Sequence, residues 1–235
     1  MKYLSRPDLE RISGRVLTAY RDLPAAGEEN WRVNPDLLVR SLLGLTMKYR
    51  TLSHKGDVLG LTSFTDMELI LPDSDTRGPC TLDGKTVVIE RFLQDSPRLA
   101  GRRNFTVAHE ASHHILKLLY PRDYASGAAA RSVYTYRDPG LKKRGTGGSN
   151  WEEWQMDVLS SYLLMPRELV LHNLEMALRG RKRLYRGDFN ALCRTMGVSR
   201  QAMALRLEQL GQGAAPDWLS LEDEIDIFMD EEDDL

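Results

Sequence analysis

The sequence predicts an α+β fold, and three observations carry that prediction: helical apolar periodicity at both ends, a central block of short apolar runs, and turn residues dividing them. Apolar residues three and four apart mark helices, and short apolar runs bounded by Gly, Pro, Asp and Ser mark strands. In the 235 residues neither pattern repeats at a fixed interval, so no repeat architecture is expected.

The first helix is expected to open at Ser5, with Pro7 and Asp8 in its first turn and an apolar stripe of Leu9, Ile12, Val16, Leu17 and Tyr20. A second is capped by Asn34, takes Pro35 at its first position and stops at Gly44. From 45 to 92 the runs LTMKY, VLGLTSF, MELILP and TVVIERF, separated by DSDTRGP and LDGK, predict a small sheet. Helix is expected again over about 104–120, opened by Asn104 and ended by Pro121. The stretch that follows is rich in Gly, Ala, Ser and Arg, ends in KKRGTGGSN and reads as a surface loop. Ser149 and Glu152 form a capping box for a helix running through WEEWQMDVLSSYLLM to Pro166. A shorter helix, 167–178, leads to the basic run RGRKRLYR, and two last helices flank GVS at 197–199, with Ser199 capping the second.

Composition narrows the classes. Two distant cysteines, Cys80 and Cys193, form no CxxC pair and suit a reducing compartment. No export signal and no apolar span of about 18 residues is visible, so the expected location is the cytoplasm, with no membrane partner. The net charge of -2 hides an asymmetry: residues 217–235 hold ten acidic residues and no basic ones. Without those ten of the 34 acids, 32 basic residues face 24 acidic ones, a body near +8.

Chemistry concentrates in NFTVAHEASHHIL, residues 104–116, where three of the chain's five histidines fall within six positions. His109, Glu110 and His113 fit HExxH. On a helix, positions four apart share a face, so both imidazoles can bind one ion while Glu110 beside them takes a proton from water. Composition alone produces such a match about once in a hundred chains of this kind, so a third ligand is needed. Glu153 is the best candidate. Asp157, one turn further on the same face, can accept a hydrogen bond from a ligand imidazole. His114, His54 and His172 are expected to be bystanders, and Cys80 and Cys193 inert. Tyr124, Tyr134, Tyr136 and His172 remain open as oxyanion donors.

NFTVAHEASHHIL followed by EEWQMDVLSSYLLMP resembles the ImmA/IrrE family of metallopeptidases, whose pattern is similar to FTxAHExxH and then ExxAN/D-x-FA-x-x-LLMP. Ala111-Ser112 replaces the usual Leu-Gly, and Met156-Asp157 the usual Ala-Asn; neither change removes a ligand. The resemblance implies a zincin-like fold, zinc (Zn2+) held by His109, His113 and Glu153, and Glu110 as the catalytic acid/base. It also implies a protein substrate, a helix-turn-helix repressor.

The expected organisation is a metallopeptidase domain over 1–178, a helix-turn-helix-like helical subdomain over 179–212 and an acidic tail over 213–235. The C-terminal helices leave an alternative: a zinc-containing regulator that binds DNA or a repressor without hydrolysis, with Arg194, Arg200 and Arg206 facing phosphates.

Overall fold

The computed structural model describes residues 2–26, 32–125, 133–137, 151–181 and 184–212. The capping residue Ser149, most of the loop before it and the acidic tail lie outside these residues, as does part of the basic run after 178.

Helix α1 (Arg6–Arg21) opens with a complete capping box between Ser5 and Asp8. Its stripe of Leu9, Ile12, Leu17 and Tyr20 is buried. Helix α2 (Pro35–Leu37) is capped by Asn34 as expected, but it continues as a π-helical turn, Leu38–Leu42.

Five strands follow: β1 (Thr46–Arg50), β2 (Val58–Ser63), β3 (Asp66–Leu69), β4 (Cys80–Asp83) and β5 (Thr86–Glu90). The expected turn before β4 holds a short helix, α3 (Ser74–Arg77), and Cys80 is the first residue of β4. A sixth strand, β6 (Val133–Arg137), completes a four-stranded sheet in the order β1-β5-β2-β6. Strand β1 runs parallel to β5, and the remaining pairings are antiparallel. Strands β3 and β4 pair separately.

Strand β5 is buried along its whole length, which explains its unbroken apolar run. Val87 and Ile89 enter the main core, and Val88 enters a second core closed by the β3–β4 pair. The alternation is the period-2 consequence of the pleat.

Short helices α4 (Phe92–Asp95) and a 3-10 turn, Pro97–Leu99, lead into the longest helix, α5 (Ala100–Leu119). It begins four residues earlier than the sequence predicts. Asn104 is no cap: its amide donates to the Gly197 carbonyl at 2.9 Å, 93 residues away. Helix α6 (Pro121–Ala125) follows α5 directly. Helix α7 (Trp151–Leu164) packs along both α5 and α1.

Helices α8 (Arg167–Leu178), α9 (Arg186–Met196) and α10 (Arg200–Gln209) form the C-terminal bundle. Gly197, left-handed at φ 64°, ends α9, and Ser199 caps α10, so the pair is helix-turn-helix-like. Its core joins Phe189, Leu192, Val198 and Met203 to Ala108 of α5, Leu164 at the end of α7 and Met165 just after it. The turn also abuts α5 closely: a Cβ on Gly101 would sit 2.7 Å from the backbone of Val198 and Ser199. The sheet therefore covers one part of α5 while the bundle is fastened to its N-terminal end. Among the described residues no helix is long and apolar enough to cross a membrane.

Candidate metal centre

Two helices build the site. On α5 the apolar Val107, Ala108, Ala111, Ile115 and Leu116 face the cores and fix its rotation, which buries His109, Glu110 and His113 as well. On α7, Met156 and Leu159 enter the core while Glu153 and Asp157, one turn apart, lie toward α5. Small hydroxyl residues let the helices approach: Ser112 and Ser160 meet at 3.0 Å, and each also donates to the carbonyl four residues before it. The Ala111-Ser112 step thus supplies close helix packing.

The ligand atoms of His109, His113 and Glu153 all lie within 4.8 Å of one another. His109 Nε2 is 3.1 Å, and His113 Nε2 3.8 Å, from Glu153 Oε2. Those separations bracket the edge of about 3.4 Å expected of a tetrahedron with bonds near 2.1 Å. Two imidazoles and one carboxylate are also a donor set that suits zinc. The cluster can hold a metal ion and is consistent with a zincin-like HExxH site.

No family model matches the chain, and no curated protein matches it. The assignment rests on geometry.

The other nitrogen of His109, Nδ1, lies 3.0 Å from Asp157 Oδ1, an acceptor that holds the ring and keeps a proton on Nδ1. Burial opposes a charged ring, but the hydrogen bonds to Asp157 and Glu153 outweigh it and carry His109 up to about 10. His113 moves the opposite way, down to about 3, because it is buried beside His109. Burial pushes Glu153 up, yet its hydrogen bond to His109 leaves it below the usual carboxylate range. A metal ligand at His109 must present a bare Nε2, and the Nδ1–H···Asp157 contact selects that tautomer.

Glu110 is 0% exposed, and neither of its carboxyl oxygens has a hydrogen-bond partner among the described residues. Burial raises its pKa to about 8, with His109 opposing and Glu153 reinforcing the shift. A carboxyl that titrates near neutral pH can both take and return a proton. The room it occupies is made by Gly60 on β2, where a Cβ would lie 2.4 Å from Glu110 Oε1 and 2.8 Å from Thr106 Cγ2. The sequence reading missed Gly60. Its signal was available, because a glycine inside an apolar strand run marks close approach.

Opposite Gly60 in the β2–β6 register stands Tyr136, whose ring centre is 4.1 Å from that of His109. Of the other open donors, His172 is exposed on α8, and the side chains of Tyr124 and Tyr134 lie outside the described residues. His114 is buried as a packing residue, with Nε2 2.7 Å from Thr62 Oγ1 and its ring edge-on to Phe64. His54 is exposed. Both cysteines are buried, and burial raises both thiols, Cys193 to about 12, so neither is a ready nucleophile.

The expectation that Arg200 and Arg206 face phosphates is overturned. Arg200 is 0% exposed and donates to Asn190. Arg206, 1% exposed, donates to the Met165 carbonyl and to both carboxyl oxygens of Glu10, and stacks on Tyr162. Only Arg194 of the three is exposed. Helical spacing identified charged positions but not the internal acceptors that let a guanidinium be buried.

The His-Glu-x-x-His and downstream Glu arrangement matches the catalytic geometry expected of a zinc metalloendopeptidase.

Proposed function

We propose that the protein is a zinc-dependent endopeptidase that cleaves or inactivates one regulatory protein, a helix-turn-helix repressor. The observation that carries the hydrolase reading is the buried, hydrogen-bond-free Glu110 carboxyl beside the His109, His113 and Glu153 cluster. The repressor as substrate, and a cytoplasmic setting, are supported by the resemblance of the HExxH and ExxxD segments to the ImmA/IrrE family.

His109, His113 and Glu153 would hold the ion, and Asp157 would fix the His109 ring through Nδ1. The chemistry an ion supplies there is Lewis acidity toward a carbonyl and a lowered pKa for water. Glu110 accepts the proton of the attacking water as the new C–O bond forms. The same carboxyl returns that proton to the amine nitrogen as the C–N bond breaks, so Glu110 ends the cycle as it began. The helical segment over 179–212, fastened to the N-terminal end of α5, is proposed as the part that receives the regulatory protein. Burial of Arg200 and Arg206 removes two of the basic side chains that favour the alternative, a regulator that binds DNA or a repressor without hydrolysis, and leaves it Arg194 and the basic run over 179–186.

The test is incubation of the zinc-loaded protein, beside its Glu110→Gln variant, with the repressor encoded next to its gene. A single specific cut made only by the unmodified protein is expected. No cut by a protein that holds zinc stoichiometrically would contradict the proposal.

A further inference from the structure

Hydrolysis of a peptide needs, besides the proton carrier, a donor aimed at the carbonyl oxygen as it gains negative charge. The sequence leaves four candidates for it. The fold separates them. Strand β6 is an edge strand of the four-stranded sheet, and its register sets Tyr136 opposite Gly60, whose missing side chain admits Glu110. The Tyr136 ring consequently lies over the ligand His109, at 4.1 Å between centres and tilted by 34°. Phe105, one helical turn before His109 on α5, lies 6.2 Å from the Tyr136 ring.

Tyr136 is 6% exposed, yet its hydroxyl makes no hydrogen bond among the described residues. The hydroxyl is not among the fully buried atoms left without a partner, so its donor is open to a bound group. A phenol of ordinary acidity keeps its proton near neutral pH, so the hydroxyl is available as a donor. His172, by contrast, is exposed on α8.

Building on the peptidase reading above, we infer that Tyr136 donates its hydroxyl hydrogen bond to the substrate's carbonyl oxygen in the transition state. The hydroxyl keeps its proton throughout; only the hydrogen bond strengthens as charge develops on the oxygen.

Tyr136→Phe removes the hydroxyl and keeps the ring that packs on His109. The first readout needs no substrate: cobalt(II)-loaded protein is titrated with acetohydroxamate, followed by the visible absorption of the ion. Equal cobalt uptake and melting temperature for both proteins are expected, with hydroxamate affinity lower by about tenfold or more in the variant. The second readout is cleavage of the repressor, where kcat is expected to fall on the order of a hundredfold with KM little changed. Unchanged hydroxamate affinity would overturn the assignment, as would loss of cobalt uptake in the variant, which would make Tyr136 a structural residue. A wild-type protein that binds cobalt and hydroxamate through Tyr136 but cuts no repressor would instead sink the peptidase reading and leave the donor in place. Failure of the wild-type protein to take up cobalt would overturn both.

Discussion

Two regions of this chain bury charged side chains, and they do so in opposite ways. In the C-terminal bundle Arg206 spends its donors on the Met165 carbonyl and the Glu10 carboxyl, and lays its plane on Tyr162, which ties α10 to α7 and α1. Beneath the sheet Glu110 is buried as deeply, yet both its oxygens are left without a hydrogen bond among the described residues. A buried charge with partners is part of the scaffold; one without partners costs stability and needs another reason to be there. Burial alone therefore does not distinguish a structural arginine from a proposed catalytic acid. The state of their partners does.

The largest effect is expected at Glu110. Glu110→Gln is expected to lower repressor cleavage on the order of 10³–10⁴-fold, while thermal unfolding shows no loss of stability. A variant that melts well below the parent would place Glu110 with the scaffold. Arg206→Ala is expected to do the reverse, lowering stability by about 2–4 kcal/mol in urea unfolding because the Met165 carbonyl loses its donor and a well-packed side chain is deleted. Glu10 is partly exposed and can rehydrate, which sets the lower part of that range. Zinc content of the folded fraction should not change; if it fell, the bundle would be coupled to the metal helices more tightly than the comparison allows.

Gly60→Ala should cost turnover about a hundredfold, since its Cβ must displace the Glu110 carboxyl. Metal content measured on the same sample should match the parent, because Gly60 is not one of the clustered ligands. The smallest effect is expected from Asp157→Ala: zinc affinity, read by competition with a chelator, weaker by about 10–100-fold as the His109 ring loses its anchor. Unchanged affinity would mean that the contact at Nδ1 does not tune the site.

Much of this was legible in the sequence because the signals are local. Ser5 with Asp8, Asn34 with Pro35, Gly197 and Ser199 punctuate helices through bonds within a few residues, and each stands at the helix end it announces. The HExxH spacing and the one-turn separation of Glu153 and Asp157 need only helical geometry to bring their side chains onto one face. What escaped was set by contacts distant along the chain. Asn104 has the form of a cap but answers to Gly197. The parallel pairing of β1 with β5, 40 residues on in register, leaves no mark within either strand. Arg200 and Arg206 read as surface charges because their acceptors, Asn190, Met165 and Glu10, lie outside their own helix. Gly60 matters only through the carboxyl that approaches it.

Metal content per chain of the purified protein, beside that of its Glu153→Ala variant, tests whether His109, His113 and Glu153 hold one zinc ion. One zinc per chain in the parent, and its loss from a variant that remains folded, is the result the geometry predicts. Stoichiometric zinc retained by Glu153→Ala, or a folded parent that takes up none, would contradict it.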